Sequence, residues 1–250
     1  PGATDTFVYT IVDTDGDTAT TTLTITHTDS GLAAQPADLE VDEAALATGS
    51  NPSSTAEQDG GTLSVTGGNG PYTFSIVGGG TGSNGTLVID PNTGVYTYTL
   101  TSPYDHTPGV DDGVTTADNV ESFNILVTDD NGNTTTATIT VDIVDDVPVA
   151  NADTATVTEG GDVSGNVIDD ADAASDDLFG ADGSGGIVGI AAGSDTSSPV
   201  SGSVGVTVAG TYGDLILNAD GSYTYTADPN TVPPGATDTF VYTIVDTDGD

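Results

Sequence analysis

Apolar and polar positions alternate along much of the chain. In "GVYTYTL" (Gly94–Leu100), Tyr96, Tyr98 and Leu100 alternate with Val95, Thr97 and Thr99, and "GSYTYTA" (Gly221–Ala227) repeats the pattern. "TATTTLTITH" (Thr18–His27) sets Leu23 and Ile25 on one face, and "TTTATITVDI" (Thr134–Ile143) does the same with Ala137, Ile139, Val141 and Ile143, leaving Thr on the other. A period of two in segments rich in β-branched residues predicts half-buried antiparallel strands. No segment carries a 3.6-residue apolar stripe of useful length. The 34 Gly and 12 Pro interrupt the strands at short intervals, which suits a sandwich. The predicted class is all-β.

The pattern also repeats at long range. "PGATDTFVYTIVDTDGD" occupies Pro1–Asp17 and recurs at Pro234–Asp250, 233 residues later. Seventeen identical residues mark one period of a tandem repeat plus an overlap, so the window is expected to be cut from an array. The period divides again. "FVYTIVDTDGDTATTTLTIT" from Phe7 aligns with "FNILVTDDNGNTTTATITVD" from Phe123, and Glu43 with Glu159, both 116 residues apart. "GTLVIDPNTGVYTY" from Gly85 echoes "GDLILNADGSYTY" from Gly213. Pro-containing joints near Asp29–Ala37 and Asp145–Asn151 then divide the chain into three parts. Residues 1–29 are expected to be the C-terminal hairpin of a preceding domain, 30–146 a complete domain, and 147–250 a domain without its last strand.

Charge changes what such domains can do. The 250 residues include 39 acidic groups and no Lys or Arg, for a net charge of −39. Such a surface repels nucleic acid and anionic lipid, whose binding rests on Lys and Arg, and it attracts divalent cations. Strong acidity can mean disorder, yet 35% of residues are hydrophobic and fall in alternating runs. With no Cys there are neither disulfides nor thiolate metal sites, and with no Lys there is no Lys–Asn isopeptide crosslink. Bound metal is the remaining staple. No stretch is long and apolar enough to insert in a membrane as a helix.

Candidate ligands follow from the acidic loops. "DTDGD" supplies Asp13, Asp15 and Asp17, and its copy supplies Asp246, Asp248 and Asp250; "DDNGN" puts Asp129, Asp130 and Asn131 at the equivalent place. Asp, Asn and Gly are also what a tight hairpin turn needs. Oxygens at alternate positions around a Gly equally suit Ca2+, which takes 6–8 oxygens at about 2.3–2.6 Å. Neither the spacing nor the distal Glu of an EF-hand is present, so other loops must complete any cage. The interdomain stretch offers Asp145, Asp146 and Asp153, with Glu159 after it. "NVIDDADAASDDLFGADG" offers Asp169, Asp170, Asp172 and Asp182, and "YDHTPGVDDG" offers Asp105, Asp111 and Asp112. One such cluster is ordinarily a solvated loop. Several together raise one another's pKa and oppose folding unless a cation sits among them.

Catalysis finds little support. Of the two His, His27 lies at a strand end, where an exposed position is the default, and His106 in "YDHTPG" reads as a turn residue rather than a base. The "DSG" at Asp29–Gly31 falls on a joint, and there is no Trp to stack a sugar nor Arg or Lys to steady an oxyanion. No catalytic or organic-cofactor residues are expected.

Taken together, "FVYTIVDTDGDTATTTLTI", "DDVPVANADTATVTEGG", "NADGSYTYTA" and "YDHTPGVDDG" resemble the extender repeats of giant calcium-dependent bacterial adhesins, the RTX and Bap-like proteins. The run from "VPVANADTATVTEGG" to "NADGSYTYT" is similar to VCBS repeats. The resemblance implies Ig-like or cadherin-like β-sandwiches joined end to end, with Ca2+ stiffening the joints. It makes Asp145, Asp146, Asp153 and Glu159 ligands at the second joint; the first, with only Asp29 and Asp38, departs from the pattern. It implies a secreted, cell-surface stalk exported by type I secretion, serving cell adhesion and biofilm formation. Its partners would be adjacent repeats of the same chain and other copies meeting laterally or head to tail, with no nucleic acid and no membrane insertion. The alternative is a structural subunit of an extracellular filament, sheath or matrix.

Overall fold

The computed structural model describes residues 3–28, 31–106, 113–169, 176–229 and 232–250. The alternating runs all become strands. β1 (Thr4–Val12) and β2 (Thr18–Thr26) form an antiparallel hairpin in which Phe7 faces Leu23 and Ile11 faces Ala19. Every residue of both strands is exposed, apolar row included.

A sandwich follows. Its strands are β3 (Ala33–Ala34), β4 (Ala37–Asp42), β5 (Gln58–Thr62), β6 (Val65–Thr66), β7 (Thr73–Ile76), β8 (Gly85–Ile89), β9 (Val95–Leu100), β10 (Thr116–Thr128) and β11 (Thr134–Val144). One sheet has the order β4-β11-β10-β7, the other β5-β9-β8, and β3 pairs with β6. The inward positions of the period-two runs form one core: Leu39 and Val41, Leu87, Tyr98 and Leu100, Ile125 and Val127, and Ile139, Val141 and Ile143.

One pairing departs from an all-antiparallel sandwich. β4, the domain's first long strand, and β11, its last, run parallel, Leu39 opposite Val141. A chain that enters at one pole and leaves at the other gives its first and last strands the same direction, so they pair in parallel when adjacent. Periodicity reports which face a residue takes and is silent on strand direction.

The second sandwich comprises β12 (Asp162–Asn166), β13 (Ser184–Ala192), β14 (Thr207–Ala209), β15 (Gly213–Leu217), β16 (Ser222–Ala227) and β17 (Phe240–Asp246). β12-β16-β15-β14 form one sheet and β13 pairs with β17 in the other, around Val167, Ile187, Ile190, Leu215, Leu217 and Ile244. β17 has the sequence of β1's second half, yet Ile244 is 7% exposed and its duplicate Ile11 is 60% exposed. Tertiary partners alone make that difference. β10 is flanked by β7 and β11, whereas among the described residues β17 is flanked by β13 only. Residues 153–158, aligned with β4, form no strand; β4 takes its hydrogen bonds from β11, which has no counterpart beside β17 among the described residues.

Both sandwiches share a Tyr–carboxylate latch, buried in the first and half-buried in the second. Tyr98 donates its hydroxyl to Glu121 at 2.8 Å, and the Asn84 amide donates to the other carboxylate oxygen at 2.7 Å. Tyr225 and Asp238 repeat this at 2.7 Å, with the Thr211 and Tyr212 amides donating. Glycine is required behind each carboxylate: a Cβ on Gly82 would lie 2.1 Å from Glu121, and one on Gly210 would lie 2.3 Å from Asp238.

Candidate metal centre

The two sandwiches meet at an acidic pole. From the first come Glu43, at the head of a 3-10 turn (Glu43–Ala45) that ends β4, and Asp145, just past β11. The Asp42 side chain caps that turn by accepting from the Ala44 amide at 2.9 Å, which fixes where Glu43 projects. Asp105 and His106 follow on the loop after β9. From the second sandwich come Asp182, ahead of β13, and Asp246, Asp248 and Asp250, the turn that ends β17.

The join is close and polar. His106 donates its amide to Asp248 at 3.3 Å, and Gly113 donates to Asp250 at 3.3 Å. Ala181 of the second sandwich packs into the core of the first. Gly180 passes so near Asp146 that a Cβ would lie 2.2 Å from its carbonyl oxygen, and at φ +77° only glycine sits there without strain.

The carboxylates at this pole are short of donors. Asp145 is 2% exposed, and neither of its carboxylate oxygens has a hydrogen-bond donor. Its neighbour Asp250 is another carboxylate, so the contact becomes a hydrogen bond only when one of the two holds a proton. Glu43, wholly buried, accepts from the Tyr104 amide at 2.6 Å with one oxygen and has no donor for the other. Single oxygens of Asp182, Asp246 and Asp248 are likewise buried without a donor. Buried polar atoms ordinarily find partners.

The electrostatics agree with the geometry. Burial pushes Glu43 up to about 9, and Asp182 and Asp145 add repulsion against the Tyr104 amide, which pulls the other way. Burial, then contact with Asp250 and Asp248, pushes Asp145 up to about 7. Asp246 rises to about 7 through burial and Asp248, and Asp182 to about 6 through burial and Asp248. No Lys or Arg exists anywhere in the chain to neutralise them.

An all-oxygen group here fits a hard divalent cation: one oxygen each from Asp145, Asp248 and Asp250 lie within 4.8 Å of one another. Ligand atoms of Glu43, His106 and Asp145 form a second, mixed group within the same distance. Opposite ligands on Ca2+ stand roughly 4.6–5.2 Å apart, twice its bond length to oxygen. Asp145 belongs to both groups and would join them.

The other sequence candidates are placed elsewhere or used differently. Asp146 spends both oxygens on Ser50, accepting from its amide at 2.8 Å and from its hydroxyl, so it is a tether rather than a ligand. Asp153 accepts from Tyr242 at 2.8 Å, beside Asn151 and the buried Asp177, inside the second sandwich. Glu159 is exposed and accepts from the Val232 amide at 3.3 Å. It is the counterpart of Glu43, not its neighbour, because a 116-residue repeat carries it to the opposite pole of the next sandwich. Asp169 is exposed and donates its amide to Asn166, Asp105 is exposed beside Asp182, and Asp111, Asp112, Asp170 and Asp172 lie outside the described residues.

The three copies of the Asp-Gly turn differ instructively. Asp13, Asp129 and Asp246 each gather the amides of the following residues on one oxygen. Asp129 also has its second oxygen filled, by the Asn69 amide at 3.1 Å and the Asn133 side-chain amide at 3.0 Å. These bonds, Asn133 first, hold its carboxyl below the usual range. Asn131 and Asn133 stand where the other copies have Asp, Asp130 is exposed, and the turn is complete without a cation. Asp13, Asp15 and Asp17 lie within reach of one ion but fully exposed. Glu43 and His106 went unrecognised as site residues in the sequence; the 116-residue register with Glu159 was the available signal for Glu43, whereas His106 carried none.

Residues 145–250 match the bacterial Ig domain. That family thus spans the second sandwich together with Asp145 and Asp146 at the joint. The solved extracellular cadherin domains 1–5 of protocadherin gamma B2 align over 96% of this chain at 9% identity, with a TM-score of 0.33. The chain spans about half the length of that structure, 50%. No curated protein sequence matches the chain. Among the described residues, no helix is long and apolar enough to cross a membrane.

Proposed function

We propose that the chain is a structural repeat of an extracellular bacterial surface protein, an adhesin-type stalk in which calcium locks one sandwich onto the next. A single observation carries this reading: Asp145, buried with no donor to either oxygen, faces Asp248 and Asp250 of the following sandwich. Its carboxylates come from both sides, so one ion would bind both. Matching the bacterial Ig domain over 145–250 supports a structural role, and the net charge of −39 supports cations as the counterpart. Magnesium substitutes poorly, because a cage of carboxylates spread over two domains lacks the near-ideal octahedron that Mg2+ demands.

Small-angle scattering on the whole chain tests this. Calcium at fixed ionic strength should give a single, narrowly distributed maximum dimension, and EDTA a broader distribution. Asp145→Asn should behave in calcium as the wild type does in EDTA. Equal dimensions under both conditions would defeat the proposal.

A further inference from the structure

We infer that the Glu43 side of the joint is a second, chemically distinct metal site, taking a zinc-class transition-metal ion through Glu43, His106 and Asp145. The inference shares Asp145 with the calcium reading but depends on a different ion. Its starting point is a residue that a calcium cage does not use. Ca2+ takes oxygen ligands, whereas neutral imidazole nitrogen suits zinc, nickel and copper.

The His106 side chain is 4% exposed, and its Nε2 lies 3.7 Å from Glu43 Oε1. Its Nδ1 lies 3.4 Å from the Thr115 hydroxyl, and the Tyr104 ring meets it edge-on with centroids 5.2 Å apart. Those two contacts orient the ring so that Nε2 faces the carboxylates, as an outer-shell partner orients a ligating histidine. Ligand atoms of Glu43, His106 and Asp145 lie within 4.8 Å of one another. An independent observation points into the same space. Asp145 is 2% exposed with both oxygens lacking a donor, and the wholly buried Glu43, whose carboxyl also meets that of Asp182, brings Oε1 toward the imidazole. Ligands around tetrahedral zinc stand about 3.4 Å apart, given bonds of about 2.0–2.1 Å. A modest inward movement of three side chains reaches that geometry and leaves a fourth position for water. Asp145, with two carboxylate oxygens, can serve zinc on one side and calcium on the other.

The test uses zinc alone as probe on the calcium-saturated chain. Isothermal titration should show about one equivalent of zinc taken up in millimolar calcium. His106→Gln should weaken it by more than about tenfold, the low end of what even an outer-shell partner contributes, while leaving the calcium response intact. Histidine nitrogen NMR on the wild-type chain needs no variant. With only two His in the sequence, zinc should shift the His106 nitrogens and leave those of His27 unmoved. Zinc uptake abolished by calcium, uptake unchanged in His106→Gln, or a shift confined to His27 would each overturn the inference. Loss of the calcium response with zinc uptake retained would overturn the stalk reading instead.

Discussion

At the residue scale, two asparagines, Asn131 and Asn133, set one copy of the Asp-Gly turn apart from the others, which carry Asp there. Asn133 supplies an amide to Asp129 where the other copies of the turn carry Asp17 and Asp250. Asn133→Asp should therefore lower the denaturation midpoint of the metal-free chain, since a carboxylate replaces the donor beside Asp129 and leaves that oxygen the Asn69 amide alone. Denaturant titration in EDTA checks it, and an unchanged midpoint would refute it. The crowded joint also sets a pH dependence. The pKa values of Glu43, Asp145, Asp246 and Asp182 are raised on folding to about 9, 7, 7 and 6. The folded chain thus holds more protons than the unfolded one, and stability falls as pH rises. The contribution is fully present below about pH 4, where the unfolded carboxyls also hold their protons, and is lost as pH climbs through 6 to 9. Metal-free melts should drop over that window, and calcium should flatten the drop by replacing the protons. A metal-free chain that gained stability from pH 5 to 9 would contradict the assignment.

At the scale of elements, the latches make a sharp prediction. Tyr98→Phe leaves a buried Glu121 oxygen without its donor, whereas Tyr225→Phe leaves the half-buried Asp238 with the Thr211 and Tyr212 amides. The first should cost about 1–3 kcal/mol and the second less, each in its own sandwich. Calorimetry that resolves the two transitions should show only the mutated one moving. Much of this level was legible in the sequence. β9, β11 and β16 fall where Tyr-Thr and Ile-Thr alternation places them, because a half-buried strand writes its faces into a period of two. The parallel β4–β11 pair was not legible, since direction leaves no mark on alternation. Nor was the burial of a given copy: "FVYTIVD" is exposed in the hairpin and half-buried in β17, with identical residues. The acidic clusters were legible in the sequence, and the fold brings Asp145, Asp248 and Asp250 of one set together, while Asp146, Asp129 and Asp153 look alike in sequence and differ in who donates to them. His106 reached the site through the fold alone.

At the scale of the whole molecule, the joint holds through the packing of Ala181 and the amide bonds of His106 and Gly113. No Cys or Lys provides a covalent link, and the crowded carboxylates of the acidic pole oppose the contact, which is what the proposed cation would relieve. A site filled at 100 times its dissociation constant adds about 2.7 kcal/mol, against the roughly 5–15 kcal/mol of a typical domain. That is enough to couple two domains. The most direct test is scanning calorimetry of the wild type and Asp145→Asn, each in calcium and in EDTA at one ionic strength. A cation bridging Asp145 to Asp248 and Asp250 predicts two separate transitions for the wild type in EDTA. In calcium they should merge into one, higher by roughly 5–10 °C, and Asp145→Asn should show the separate transitions under both conditions. Wild-type melts that are the same with and without calcium would contradict the account.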